Sequence, residues 1–331
     1  MHSKRSGAGM ILSKPPFMAE ADGFGKKKAL MLEILIFAAV YMIASAAQSL
    51  IMAAPMATYI SSMFADGSLA EMTERMFSGD FIGAMGMIKM PEYVVLTMLF
   101  STVTLIAGAV MYCRLIEKRP LRTMGLVRGN ILGEYAIGLG AGAAMAAVSV
   151  GICAAAGVMS IKGFSPHAGW IILMYFIGFM IQGMSEELLL RGYFMVSMAR
   201  GRSLYPAVFI SSAVFALMHI LNPGITLMGM VNIFLFGVFA AVYVIKRGNL
   251  WGAAAMHTMW NFSLANILGI EVSGMEIKSS VFVTETSKAA EWLHGGAFGS
   301  EGGLGMTVVL AAGLVILCLI PSNKQKTAKH M

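Results

Sequence analysis

Residues 170–191 read WIILMYFIGFMIQGMSEELLLR, and the polar letters near the end decide how the rest of the chain is read. Trp170 to Met184 is apolar enough for the hydrocarbon core of a bilayer, yet it runs directly into Glu186, Glu187 and Arg191. An ionisable side chain at membrane depth costs roughly 2.5–3.5 kcal/mol on insertion scales, so such groups persist where they face one another inside a bundle. In a helix, residues four apart share a face. Glu187 and Arg191 can therefore pair, while Glu186 is turned about 100° away. A carboxyl kept in low dielectric without a cation suits a general acid or base, whereas the partner of an arginine is held ionised. Taken alone, the same letters also fit a polar clasp between helices, with Arg191 snorkelling to the interface.

Two further segments shift that balance. In Phe215-Ala216-Leu217-Met218-His219, the ring and the imidazole lie one turn apart on one face; His257-Thr258-Met259-Trp260-Asn261 places an imidazole and an amide likewise. One intramembrane histidine is often a helix–helix hydrogen bonder. Two of them, each at the end of a matched pair and joined by a double glutamate, point to a buried active site.

Composition sets the compartment. The chain is 58% apolar and 12% charged, with a mean hydropathy of +0.76, against about 25% charged residues in soluble domains. The predicted fold is all-α: a polytopic membrane helix bundle of about eight transmembrane helices. The spans are Leu30–Ala54, Tyr93–Tyr112, Tyr135–Met159, Trp170–Met184, Pro206–Leu221, Met228–Ile245, Leu250–Ile267 and Met306–Ile320. Lys26-Lys27-Lys28 before an apolar run resembles the start of a secretory signal, but the run from Leu30 is too long for one and reads as an uncleaved anchor.

Orientation follows from Lys and Arg, which short cytoplasmic connections retain. With the N-terminus inside, only Arg75, Lys89, Lys162, Lys278 and Lys288 of the 24 fall on the far side. Both termini are thus predicted cytoplasmic in a multi-pass protein of the cell membrane. The net charge of +7 reflects this bias and contact with membrane lipids; with no basic soluble domain, nucleic acid is not an expected partner. The basic connection Arg114–Arg128 reads as an interfacial turn. The long connections Pro55–Glu92 and Gly269–Gly305 fall on the other side and carry no motif. Cys113, Cys153 and Cys318 lack metal-ligand spacing and read as inert small hydrophobes.

Depth provides a check. If the fourth and fifth helices turn near Gly201-Arg202, Glu186 and His219 differ by only about 4–5 Å in height at 1.5 Å per residue. The site is expected within the membrane and open to the cytoplasm.

The order Glu-Glu-x-x-x-Arg, Phe-x-x-x-His, His-x-x-x-Asn on successive membrane helices resembles the CPBP family, the CAAX proteases and bacteriocin-processing or self-immunity proteins that include the type II CAAX prenyl endopeptidases. Arg191-Gly192-Tyr193-Phe194 and the Gly248-Asn249-Leu250-Trp251 turn agree with it. The resemblance covers about Tyr135 to Ile267. It divides the chain into a cytoplasmic tail (1–29), two helices with an extracytoplasmic loop and basic turn (30–134), a catalytic core (135–267), an extracytoplasmic loop (268–305), and a last helix with a cytoplasmic tail (306–331).

The resemblance implies that Glu186 activates a water with help from His219, that His257 and Asn261 stabilise the oxyanion, and that Glu187 and Arg191 hold the geometry. These roles make up peptide hydrolysis without a nucleophilic residue, and neither Ser185 nor Ser263 has the partners a nucleophile needs. No cofactor is favoured. The alternative is a zinc ion on Glu186, His219 and His257, although no His-Glu-x-x-His is present. The expected substrate is a lipidated or hydrophobic peptide or protein. A competing class is a non-catalytic immunity or scaffold protein, or a small ion-coupled transporter, using the same Glu and His cluster.

Overall fold

The computed structural model describes residues 12–167 and 169–320, apart from the side chains of residues 82, 85 and 86. Parts of both predicted cytoplasmic tails, with Lys4, Arg5, Lys324, Lys326 and Lys329, lie outside the described residues.

Eight apolar helices stand where eight spans were predicted: α1 (Leu30–Ala65), α2 (Glu92–Ile116), α3 (Ile131–Ala155), α4 (Ile171–Ala199), α5 (Leu204–Met218), α6 (Leu227–Arg247), α7 (Trp251–Phe262) and α8 (Leu304–Leu319). Five of them, α1 to α4 and α6, are long and apolar enough to cross a membrane. The protein is an all-α, multi-pass membrane bundle. Asn130, Ser203 and Thr226 cap the starts of α3, α5 and α6 through their side-chain oxygens, and Gly248 ends α6 at a φ of 73°, a left-handed conformation that glycine adopts freely.

Two helix ends and a pair of strands differ from the sequence reading. Helix α1 continues through Pro55 to Ala65, eleven residues past its predicted end; proline removes one backbone donor without having to stop a helix in a bundle. Helix α4 does not end at Met184. It runs through the double glutamate and Arg191, because those groups are buried and matched rather than exposed, and residues 188–194 form a π-helical segment within it. A small antiparallel pair, β1 (Met159–Phe164) and β2 (Phe282–Thr286), joins the two connections that precede α4 and α8.

The centre of the bundle is α7, held backbone to backbone by small residues. A Cβ placed on Gly142 of α3 would lie 2.3 Å from the Met256 carbonyl oxygen, and one on Gly183 of α4 would lie 2.8 Å from Thr258 Oγ1. Close approach replaces the hydrophobic drive that lipid removes between helices, and it fixes the rotation of α7 that aims His257 and Asn261.

The two ends are chemically distinct. At one, Glu117 accepts from Arg119 Nε at 2.7 Å, Lys28 Nζ at 3.2 Å, Ser197 Oγ at 3.3 Å and Arg200 Nη2. Arg119 is fully buried and Arg200 only 2% exposed, so the predicted interfacial turn is in part a buried ion cluster. The reason is that Glu117 and Glu33 reach the same point and neutralise the cations. Burial alone would raise the Glu117 carboxyl, but Arg119, Arg200 and Lys28 outweigh it and hold the pKa below the ordinary value. The residues before α1 close over this end, with Asp22 accepting from Lys14 Nζ and from the Gly201 amide.

At the other end, the connections α1–α2 and α7–α8 meet: Ser279 Oγ donates to Glu92, and Lys89 lies 3.9 Å from Glu276. Cys113 and Cys153 are buried and Cys318 is exposed, none in a disulfide.

Candidate active site

Glu187 and Arg191 pair as the spacing requires. Arg191 Nη1 donates to Glu187 Oε1 at 3.1 Å, its Nη2 donates to the Gly237 carbonyl at 3.2 Å, and its guanidinium lies over the Phe215 ring at 4.6 Å. Both side chains are fully buried. Arg191 therefore does not snorkel; the matched carboxylate, carbonyl and ring face hold it at depth.

The same Glu187 oxygen lies 3.0 Å from His257 Nδ1. A carboxylate only accepts, so Nδ1 carries the proton and the opposite nitrogen, Nε2, is turned towards Glu186 Oε2 at 3.7 Å. Phe236 packs against the imidazole at 5.0 Å. Two carboxylates, one guanidinium and one imidazole share a volume from which water is largely excluded. Their charges balance when His257 is protonated, which turns Nε2 into a donor.

His219 ends α5, where Nδ1 lies 2.8 Å from the Phe215 carbonyl. A carbonyl cannot donate, so Nδ1–H is fixed and the lone pair of a neutral ring stands on Nε2. Phe215 thus contributes both its ring, edge-on to the imidazole at 4.8 Å, and its backbone.

Gln182, one turn before Glu186, was not singled out in the sequence. Its Nε2 donates to Glu186 Oε1 at 2.6 Å and its Oε1 accepts from Asn261 Nδ2 at 3.0 Å. The carboxylate fixes which way the Gln182 amide points, and that in turn fixes Asn261. One hydrogen on Asn261 Nδ2 is left over for a reacting group. The spacing of four from Glu186 was the available signal, but an amide in an apolar run has many other uses.

All six expected residues meet at one place. Glu186, His219, Asn261 and Gln182 line a cavity of about 360 Å³, within the range of small-ligand sites, that extends across to Tyr41 and Gln48 of α1. Beside it, a chamber of about 20 Å³, with room for one water molecule, is lined by His219, His257, Asn261, Asn232, Ser273 and Glu301. Ser273 and Glu301 belong to a connection that carried no motif. Glu301 Oε2 accepts from the Ser273 amide at 2.6 Å and Oε1 from Trp260 Nε1 at 3.1 Å, so this segment is tied to the helix that carries His257.

The sequence reading expects the site to open to the basic, cytoplasmic end, but the cavity does not face that end. Met90, Asn222, Pro223, Val272 and Met275 surround its outer part, all from the connections at the opposite end. Counting residues from the turn at Gly201 puts Glu186 near the middle of α4 and His219 at the end of α5 remote from that turn.

Residues 168–263 match the family model described as type II CAAX prenyl endopeptidase Rce1-like. Over these residues the chain is similar to the CAAX-protease family. The matched segment takes in α4 to α7 with all six motif residues, and lies inside the broader core expected at 135–267. No curated protein and no solved structure matches the chain.

Zinc fits this arrangement poorly. Among the described residues no three His, Cys, Asp or Glu side chains converge on a point that could hold a metal ion. Zinc needs ligand atoms about 2.0–2.2 Å away, and no such set is assembled among the described residues. No step is therefore routed through a metal.

Proposed function

We propose that the protein is an intramembrane endopeptidase that cleaves a lipidated or hydrophobic peptide by glutamate-activated attack of water. The observation that carries this reading is Glu186 Oε2, a carboxylate oxygen buried without a hydrogen-bond partner beside the cavity. His257 Nε2 stands 3.7 Å from that oxygen, and Glu186 borders space that a substrate can enter.

In the proposed reaction Glu186 takes a proton from water while the lone pair on His219 Nε2 orients it. The water oxygen bonds to the peptide carbonyl carbon. Negative charge on the carbonyl oxygen is met by His257 Nε2–H, backed by Glu187, and by the remaining Asn261 hydrogen. Collapse breaks the carbon–nitrogen bond, and Glu186 returns the proton to the leaving amine. The assignment to peptide bonds is supported by the CAAX-protease match. A hydrophobic substrate is supported by the methionine-rich wall of Met90, Met98, Met218 and Met275.

The test is hydrolysis by purified protein in detergent of a panel of prenylated, acylated and unmodified hydrophobic peptides, with products identified by mass. Internal cleavage that persists in a strong chelator and disappears in Glu186→Gln is expected. Activity lost to chelator and restored by zinc would overturn the mechanism and spare the peptidase; no cleavage of any peptide would overturn the peptidase itself.

A further inference from the structure

We infer that the catalytic cavity is entered from the extracytoplasmic side, so that its substrates are hydrophobic or lipid-bearing peptide segments lying in the outer leaflet and not lipidated tails of cytoplasmic proteins. This rests on the peptidase reading above and adds the side from which the scissile bond arrives.

Two independent observations meet here. The first is the sorting of charge between the ends. Lys14, Lys28, Arg119, Arg122 and Arg200 gather at one end, tied to Asp22, Glu117 and Glu20. The segments at the opposite end, 55–92 and 269–305, carry ten Asp and Glu against Arg75, Lys89, Lys278 and Lys288. Short connections rich in Lys and Arg stay in the cytoplasm, because translocating them is unfavourable. That places the acidic end outside.

The second observation is which end reaches the site. Below the double glutamate every residue from Leu188 to Arg200 is buried, and the Glu117 cluster lies beneath them, joined through Ser197. A peptide approaching from the basic end would have to displace that whole layer, including ion pairs that lose several kcal/mol each when broken. Above it, Glu186 retains 14% of its side-chain exposure, and the cavity is bounded by Asn222, Pro223, Ser273 and Met275. His219 stands at the very end of a 15-residue helix, so only the short connection to α6 separates it from that face. Tyr41 and Gln48, two turns apart on α1, form the side wall. A segment held in the outer leaflet can approach along that wall.

The experiment has two arms. For sidedness, single cysteines replace exposed residues at the two ends, Glu276→Cys and Arg122→Cys, in a Cys318→Ser background, and a membrane-impermeant maleimide is applied to intact cells and to inverted vesicles. Glu276→Cys should label in intact cells and Arg122→Cys only in inverted vesicles; the reverse pattern would overturn the inference. For access, a hydrophobic peptide with a highly charged, impermeant tail is offered to right-side-out and to inverted vesicles, with the detergent-solubilised protein as reference. Cleavage confined to right-side-out vesicles is expected. Cleavage confined to inverted vesicles would overturn the inference while sparing the peptidase. Should the solubilised protein cleave nothing, the peptidase reading fails, and the labelling arm still decides which face the cavity opens to.

Discussion

Glu117 and Glu186 are both carboxylates in a membrane bundle beside arginines and other titratable groups, yet they are treated differently. Glu117 receives four donors from four side chains, spread over both oxygens. Glu186 receives one, from Gln182, and its second oxygen has none. The first arrangement joins the start of α1, the α2–α3 turn and the α4–α5 turn into one block. The second keeps a lone pair available next to space that a substrate can enter. Desolvation is costly in both cases, and at Glu186 it is offset by the Gln182 bond and by His257 Nε2 at 3.7 Å.

Exchanging these roles is the strongest way to break the comparison. Glu186→Gln should lower kcat by about 10²–10⁴, the usual contribution of a positioned base, without moving the thermal unfolding midpoint. Glu117→Gln should do the opposite, leaving kcat essentially unchanged and costing on the order of 3–5 kcal/mol of stability, because three cations lose a shared partner. Equal effects of the two on rate would mean that satisfaction of the carboxylate does not mark its role. Asn261→Ala should come next, at about 10²–10³ in kcat with KM little changed, since one oxyanion donor is lost. A change confined to KM would place Asn261 in substrate binding.

Glu187 sharpens the contrast because it belongs to both kinds. It is buried against Arg191, as a structural group would be, and it also holds His257 Nδ1. Glu187→Ala should therefore reduce both activity and melting temperature, whereas Arg191→Ala should act mainly on melting temperature. A smaller effect, about tenfold in kcat and comparable to one hydrogen bond of roughly 1.4 kcal/mol, is expected for Gln182→Ala. The Asn261→Ala and Gln182→Ala effects should not add, because both disturb the same chain of amides.

The smallest effect is on pH. Glu117 has a depressed pKa in the folded protein, so its stabilisation is complete above the unfolded carboxyl value of about 4.3 and is lost as pH falls through the folded value. Unfolding followed from neutral pH into acid should show a decline that Glu117→Gln flattens. Lys28 runs the other way: burial alone would lower it, but Tyr112, Glu117 and Glu33 raise it. Its contribution is present below the unfolded lysine value and is lost as pH rises through the folded one.

The spacing of the motif residues was enough to place Glu187 on Arg191, Phe215 on His219 and His257 beside Asn261, because a helical period decides which side chains share a face. It could not decide what stands opposite that face. Gln182 linking Glu186 to Asn261, and Glu301 and Ser273 reaching the water-sized chamber, depend on contacts between elements 28 to 79 residues apart, and no period records those. The basic residues of Arg114–Arg128 do gather at one end, but reading that stretch as an interfacial turn misses the burial of Arg119, since nothing in its neighbourhood announces Arg200 and Glu33, which come from the α4–α5 turn and the start of α1. Where the cavity opens was missed for a related reason: distance along a helix gives depth, but not which side of that depth is filled.

The π-helical segment after the double glutamate has a consequence for how this protein can vary. Seven residues, Leu188 to Phe194, occupy a wider turn than an α-helix would give them, the signature of one extra residue accommodated within a helix. Upstream and downstream stretches of α4 are therefore out of phase, with the catalytic side chains keyed to one phase and the packing of Ser197 to the other. Removing a single residue inside the turn would restore a regular helix and rotate one stretch by about 100° against the other. Such a chain could keep its composition and all six motif letters, yet it could not close its floor and its site at once. A gap at this place would therefore separate otherwise similar sequences more sharply than most substitutions do.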